Sequence, residues 1–474
     1  MTKVRVRFAP SPTGFQHVGG MRSALFNYLF ARQNDGVFIV RLEDTDRERF
    51  VEGAEEHLFK SLAWLGIMPD ESTLTGGDYG PYTQSQRLEH YETYAAQLSA
   101  KGALYPCWCS PERLSELREQ AQKEKRAFKY DRHCLDNPGD LSKAHVLRFR
   151  IPDKQPTISW DDLVFGPISF EAADLDDFVC IKSDGFPTYH FANIVDDHLM
   201  EISHVLRAAE WLPSTPKHLL LWQAFGWPAP AYAHLPQILG PDGKRKLGKR
   251  DGAKDVLEYA QEGYLSDAVV NFMALLGWNA GDGSTKEIYT RDELIKAFSL
   301  AHVQKSPAVF DPERLIWLNG VYIRSLPIET LLELSADYWP LEAKGSDDAY
   351  KKRILGLIQE RLKFLAEIPE LTDFFFIDPP ANAIKQITKI NSSDVGKYLD
   401  QAEAVLAPTT FEHDGLETAL RKLAEDLNVK PGDLFSVLRI AITGKTAAPG
   451  LFETMVVLGK EVVLKRIRTS QSIF

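Results

Sequence analysis

Eleven residues near the start, Pro10-Ser-Pro-Thr-Gly-Phe-Gln-His-Val-Gly-Gly20, carry the densest chemical signal in the sequence. Gly19 and Gly20 would let a ligand approach the backbone closely. At a helix start the first-turn N–H groups and the dipole attract phosphate. His17 stands at that entrance, able to donate to a phosphate oxygen. Far downstream, Lys244, Arg245, Lys246, Lys249, Arg250 and Lys254 fall within eleven positions that contain Asp251 as their one acid. A cation ~4 Å from a phosphate oxygen is worth about 4 kcal/mol at an effective dielectric near 20. Gly243-Lys-Arg-Lys-Leu-Gly-Lys249 nearly matches a P-loop. That reading is rejected because Arg250 replaces the Ser or Thr that should hold Mg²⁺, and the segment is too basic for a tight nest.

The elements that must position these residues can be read from periodicity. To about Leu104 the pattern is strand, helix, strand, helix: Val4–Ala9, Gly19–Arg32, Val37–Leu42 and Glu52–Leu65. Such alternation implies right-handed crossovers and a parallel sheet, with ligands at the carboxyl ends of its strands. Between Tyr105 and Cys180 the texture changes to cysteines, a charged helix around Pro111–Lys125, and β-rich pieces at Val146–Ile151 and Leu163–Phe170, which reads as an insertion. The sheet is expected to resume near His190–Arg207, with Lys217–Phe225 its next helix. Beyond Asp255 the pattern is helical, with apolar periodicity in Ala268–Leu276, Arg353–Leu365 and Leu434–Ile442, and a break at Asp378-Pro-Pro380.

A length of 474 residues allows two to four domains. A net charge of −11 argues against broad affinity for nucleic acid but leaves room for a local basic patch. No stretch approaches a membrane span, and the chain enters a strand at once, so no membrane partner, no signal peptide and a cytoplasmic location are expected.

Arg7-Phe-Ala-Pro-Ser-Pro-Thr-Gly-Phe-Gln-His-Val-Gly-Gly20, Ala24–Arg32 and Val40-Arg-Leu-Glu-Asp-Thr-Asp46 together resemble the opening of bacterial glutamyl-tRNA synthetases, which are class I aminoacyl-tRNA synthetases. The resemblance continues through Lys182–His198, Val205-Leu-Arg-Ala-Ala-Glu-Trp211, Lys246-Leu-Gly-Lys-Arg250 and Pro449-Gly-Leu-Phe-Glu453, and so spans nearly all the chain. It implies an α/β N-terminal part, a Rossmann-like parallel sheet with an inserted α+β connective domain, followed by an all-α C-terminal anticodon-binding part. The corresponding boundaries are 1–104 and 186–254 for the two catalytic halves, 105–185 for the insertion, 255–325 for a helical stem-contact domain, and 326–380 and 381–474 for two helical subdomains.

The activity so implied is ATP-dependent formation of glutamyl-adenylate and transfer of glutamate to tRNA-Glu, with Mg²⁺ accompanying ATP and a monomer expected. His17, Lys246 and Lys249 match the catalytic cations, and Arg7 matches the residue that meets the glutamate side-chain carboxylate. Ala9, Ser11 and Glu43 match the positions at the α-amino end; Tyr189, Asn193 and Arg207 match those lining the carboxylates. Gly19, Gly20, Glu210, Ile238 and Leu239 match neighbours of the ATP ribose and adenine, and Trp211 could wall the pocket. Arg361 matches an arginine that relatives use to read the third anticodon base. One position departs from the pattern: Gly248 stands where a serine usually precedes the second lysine.

Cys107-x-Cys109 followed by Cys134 resembles the zinc site of some relatives, and a reduced thiol trio suits a metal better than a disulfide framework. Asp136 would complete a Cys-x-Cys, Cys-x-Asp set, with His133 and Tyr130 the other candidates for the fourth ligand. Three metal-free thiols remain an alternative; Cys180, in an apolar strand, reads as core. Three other functions compete: glutaminyl-tRNA synthesis or a relaxed enzyme that charges both tRNA-Glu and tRNA-Gln with glutamate, a shorter type of relative that modifies a tRNA base, and a catalytically weak RNA-binding paralogue. The length of the chain beyond the phosphate loop disfavours the second.

Overall fold

The computed structural model describes residues 3–46, 49–154, 157–248, 254–281, 283 and 285–474. These divide into two compact units, Met1–Ala260 with Val269–Pro312, and Gln261–Ala268 with Glu313–Phe474.

In the first unit, strand β1 (Arg5–Phe8) leads through the Pro/Gly turn into helix α1 (Val18–Gln33), then to β2 (Val37–Val40), helix α2 (Ala54–Leu65) and helix α3 (Leu88–Ala100). β1 and β2 are parallel in the register Arg5↔Val37 to Phe8↔Val40. α1 is apolar along most of its length; Met21, Ala24, Leu25 and Leu29 are all buried, as expected of a crossover helix covering a sheet. α2 stops at Gly66, whose φ of 64° lets the chain fold back with Ile67 N–H on Leu62 O at 3.0 Å.

β3 (Leu104–Cys107), helix α4 (Pro111–Lys123), the short helix α5 (His133–Asp136), β4 (Val146–Phe149), β5 (Thr157–Asp162), β6 (Gly166–Glu171) and β7 (Val179–Ile181) follow. β3, β4 and β7 form an antiparallel sheet of their own. The β-rich piece expected over Leu163–Phe170 is the turn and second strand of a hairpin, with β6 starting only at Gly166. Asp162 Oδ1 accepts from the N–H groups of Val164 and Phe165, both at 3.0 Å, and Gly166 adopts φ 82°, which turns the chain there. This side-chain-built turn leaves three apolar residues in a loop.

Helix α6 (Tyr189–Leu199) precedes β8 (His204–Ala208), so the sheet resumes later than the alternation suggested. Helix α7 (Thr215–Phe225), β9 (Ala231–Leu235), β10 (Ile238–Leu239) and β11 (Ala308–Val309) complete the strand set. β8 and β9 are parallel, and β5 joins them at Asp162↔Tyr232, giving the order β6-β5-β9-β8. Ser203 N–H donates to Arg5 O at 3.0 Å, linking the start of β8 to β1. The carboxyl ends of β1, β8 and β9 therefore open on one side, where the glycine-rich turn also lies.

The second unit is helical. Its core gathers Leu399, Leu416, Leu420, Leu438, Ile442, Met455, Val463 and Ile467 from the helices between Ser392 and Gln471, with a smaller cluster around Ile323, Leu331, Leu355 and Ile358. The helix expected to run from Arg353 to Leu365 ends at Ile358 and passes into a tighter turn, Gln359–Arg361. Asp378-Pro-Pro380 lies between helical turns, as its residue types require. No described helix is long and apolar enough to cross a membrane.

Candidate active site

A cavity of about 1090 Å³ opens at the carboxyl ends of the parallel strands. Its wall includes Arg7, Ala9 and Ser11 from β1 and the turn, His17, Gly19 and Gly20 from the helix start, and Glu43 beyond β2. From the other half of the unit come Tyr189, Asn193, Arg207, Glu210, Trp211, Ile238 and Lys246. Leu239, next along β10, is not among the lining residues. Lys249 and Arg250 lie outside the described residues.

His17 is the N-cap of α1, and its Nδ1 accepts from Gly19 N–H at 3.0 Å. In the neutral ring the proton is then on Nε2, the donor a phosphate would need. A Cβ on Gly19 would come within 2.8 Å of the His17 ring, and one on Gly20 within 2.7 Å of Gln16 Oε1. A side chain at position 19 would displace the His17 ring, whereas one at position 20 would meet only the mobile end of Gln16. The chain turns back after β10, with Leu247 N–H on Ile238 O at 2.9 Å, and Lys246 pairs with Glu210 across the cavity rim.

Beneath the cavity floor lies a buried ion network. Asp197 accepts from Arg41 Nη1 at 2.8 Å and from Arg7 Nε at 3.1 and 3.2 Å. Asp196 accepts from Arg87 Nε at 2.6 Å, Gln84 Nε2 at 2.8 Å and Tyr91 Oη at 2.8 Å. Burial alone would raise the Asp197 carboxyl, but Arg7 and Arg41 outweigh it and hold it below its usual range. Charges this deep persist only when paired, and this pairing fixes the guanidinium plane of Arg7. The terminal nitrogens Nη1 and Nη2 of Arg7 make no hydrogen bond among the described residues, although Arg7 is only 3 % exposed. A half-satisfied guanidinium fork at a cavity wall is a receptor for a planar anion.

Glu43 Oε1 accepts from Arg41 Nη2 at 3.0 Å and Asn193 Nδ2 at 3.1 Å, leaving Oε2 without a partner among the described residues. Burial pushes its carboxyl up from the ordinary range against the pull of Arg41 and Arg7, so an arriving cation would be favoured there. Arg207 is held differently. It donates to His234, His218, Tyr189, Thr215 and the Trp211 carbonyl. Tyr189 in turn packs on Trp211 with ring centroids 4.5 Å apart. The residues behind Arg207, namely His218 on α7, His234 on β9 and Asp162 at the end of β5, are not marked in the sequence because they come from three separate elements and share no spacing signature.

Within the insertion, Cys107, Cys109 and Cys134 converge with their sulfurs within 4.8 Å of one another. Cys109 and Cys134 Sγ lie 3.5 Å apart, close to the ~3.8 Å edge expected of a tetrahedron with ~2.3 Å zinc–sulfur bonds. The Tyr130 hydroxyl sits 3.3 Å from Cys107 Sγ and 3.4 Å from Cys109 Sγ. Arg148 Nε, Arg113 Nη1 and Trp108 N–H each donate to one of the sulfurs, as N–H groups do around thiolates that ligate metals. Asp136 and His133 are not in this group. α5 carries both, and residues two apart on a helix face opposite ways, so Asp136 is exposed while Cys134 is buried. Cys180 is fully buried, and burial pushes its thiol well up.

Arg361 belongs to the second unit, where Nη1 donates to Ala448 O at 2.8 Å, just ahead of Pro449-Gly-Leu-Phe-Glu453.

Residues 3–317 match the family described as tRNA synthetases class I (E and Q), catalytic domain, and residues 330–470 match an anticodon binding domain. A glutamate–tRNA ligase from Dehalococcoides mccartyi is 49 % identical over 98 % of this chain and 96 % of its own length. One from Chlorobium luteolum is 42 % identical, covering 98 % of this chain and 97 % of its own. A crystal structure of a glutamate tRNA ligase from Elizabethkingia meningosepticum in complex with its amino acid superposes with a TM-score of 0.90 at 36 % identity, covering 99 % of both chains. With both halves of the chain matched and the strand-end cavity in place, this chain belongs to the glutamate–tRNA ligase family of class I tRNA synthetases.

Proposed function

We infer that the chain is a glutamate–tRNA ligase. In its cavity the α-carboxylate of L-glutamate attacks the α-phosphorus of ATP, the α–β bridging bond breaks, and pyrophosphate leaves. A ribose hydroxyl of the 3′-terminal adenosine of tRNA-Glu then attacks the acyl carbon, and AMP leaves. The carboxylate is already ionised at neutral pH, so the first step needs placement and charge stabilisation rather than a general base.

The observation that carries the reading is the Arg7 fork, which lines the cavity with Nη1 and Nη2 unpaired among the described residues. We assign it the glutamate side-chain carboxylate, and Glu43, with Ala9 and Ser11, the α-ammonium. Glutamine offers no charge to that fork, so it would leave a buried cation unmatched. Tyr189, Asn193 and Arg207 surround the two carboxylates. His17 and Lys246, with Lys249, are assigned the triphosphate; Gly19, Gly20, Glu210 and Ile238 are assigned the nucleoside. Mg²⁺ arriving with the nucleotide would neutralise phosphate charge, and it needs few protein ligands.

Zinc is assigned to Cys107, Cys109 and Cys134 with the Tyr130 oxygen as fourth donor, where it would tie β3 to α5. Arg361 is assigned to the anticodon. The six segments given above remain the proposed domain division, and the chain is proposed to act as a cytoplasmic monomer.

The test is aminoacylation by purified protein with ATP, Mg²⁺ and labelled amino acid, run separately with tRNA-Glu and tRNA-Gln. Glutamate attached to tRNA-Glu, with pyrophosphate released, is expected. Binding of tRNA without pyrophosphate release would favour an RNA-binding paralogue, and equal charging of tRNA-Gln would mark a non-discriminating enzyme.

A further inference from the structure

Arg207 lines the cavity, yet it has no donor to spare. A guanidinium carries five N–H bonds. Nε donates to His234 Nε2 at 3.1 Å; Nη1 donates to His218 Nδ1 at 3.1 Å and Tyr189 Oη at 3.3 Å. Nη2 donates to Thr215 Oγ1 at 2.8 Å and the Trp211 carbonyl at 3.3 Å. His218, His234 and Thr215 are fully buried. Its position, and the charge it presents beside Tyr189, are thus set from behind.

A guanidinium can only donate, so each imidazole nitrogen facing it must be unprotonated. A neutral ring then carries its one proton on the far nitrogen. In His218 that is Nε2, 3.0 Å from His190 Nδ1. In His234 it is Nδ1, which donates to Asp162 Oδ2 at 2.6 Å. The other Asp162 oxygen, Oδ1, accepts three backbone N–H groups, from Val164 and Phe165 at 3.0 Å and His234 at 3.2 Å. The carboxylate is therefore anchored by one oxygen and dictates the His234 tautomer with the other.

We propose that Asp162 and His234 are positioning residues for the amino-acid substrate: the carboxylate fixes the imidazole tautomer, and the imidazole fixes the guanidinium of Arg207. This rests on the assignment of Arg207 to glutamate. Neither residue touches the cavity, and Asp162 reaches Arg207 through a strand contributed by the hairpin Thr157–Glu171. Burial, chiefly, depresses the basicity of His234 and His218, which is consistent with rings that stay neutral beside a permanent cation.

The Asp162→Asn variant tests this, because its amide is the same shape. Three backbone donors hold the amide oxygen at the Oδ1 position, so the NH₂ group faces His234 Nδ1. That ring must then move its proton to Nε2, against the Arg207 N–H, as happens when the aspartate of a catalytic triad is replaced. The KM for glutamate should rise about tenfold or more while the KM for ATP stays within about twofold and the melting temperature is little changed. In a His234→Leu background no ring relays the change at position 162 to Arg207, so adding Asp162→Asn should change the glutamate KM less than about threefold. An unchanged glutamate KM in Asp162→Asn, an equal effect in both backgrounds, or parallel losses in glutamate KM, ATP KM and stability would overturn the proposal. Should Asp162→Asn fail to fold, His234→Gln against His234→Leu decides: the first should keep the glutamate KM within about threefold and the second should raise it, and equal values overturn the proposal. A wild-type protein that does not activate glutamate would instead remove the functional reading beneath it.

Discussion

Arg7 and Arg207 face the same cavity in opposite states: the first keeps two terminal nitrogens open, and the second has every N–H committed to protein. The open fork is the proposed specificity device. Arg7→Gln should raise the glutamate KM by roughly 100-fold or more, since breaking a buried charge pair costs about 3–5 kcal/mol. Steady-state kinetics that leave glutamate unaffected would assign the side-chain carboxylate to another group. At the phosphate end, His17→Ala should slow adenylate formation by roughly 100- to 1,000-fold with little change in glutamate affinity, the signature of a donor used in the transition state. Single-turnover rates and equilibrium binding separate these effects; equal losses in both would contradict the assignment. The residues that line the cavity were legible because Arg7, His17, Gly19, Glu43 and Arg207 sit in ordered motifs. The positioning layer was not, because a tautomer-setting aspartate is defined by who faces it in three dimensions.

Among the elements, the parallel β1–α1–β2 start and the helical C-terminal part followed from periodicity, since each buries one apolar stripe or a wholly apolar strand. The hairpin Thr157–Glu171 did not, because backbone N–H groups of Val164 and Phe165 donate to the Asp162 carboxylate and so build a turn out of Leu163, Val164 and Phe165, residues that pattern as strand. The fourth position beside the cysteines is hidden in the sequence for a similar reason. A Cys-x-Asp spacing serves one face only on a strand, and this segment is the helix α5. The proposed zinc therefore predicts that Asp136→Ala retains about one equivalent of metal, while Tyr130→Phe and Cys134→Ser lose affinity by roughly 10-fold or more. Elemental analysis after dialysis against a chelator measures this. Metal lost from Asp136→Ala and kept in Tyr130→Phe would reverse the ligand assignment.

Across the molecule, ionisable groups are spread unevenly between the two units. In the first, burial pushes His190 down to about 4, holds His218 well below the ordinary imidazole range, and lowers His198, His204 and His234. The unfolded chain takes protons near pH 6.5 that these native rings refuse, so stability is present above that pH and falls as pH drops toward 4. The carboxyls of Glu43 and Asp176, both raised chiefly by burial, oppose this but are outnumbered. In the second unit His413 is raised, first by its hydrogen bond to Asp414, and has the opposite sign. Calorimetry at pH 7 and pH 5 should show one transition moving down by roughly 3–8 °C, and ATP with glutamate should raise that same transition. A transition insensitive to acid but raised by ligand would contradict the imidazole assignment.

The central claim is that the Arg7 fork receives the side chain of glutamate, and a crystal structure of the protein with bound L-glutamate tests it most directly. The account predicts the γ-carboxylate about 3 Å from both Nη1 and Nη2 of Arg7, with the α-ammonium on Glu43. A ligand with its α-carboxylate on Arg7, or bound outside this cavity, would contradict it.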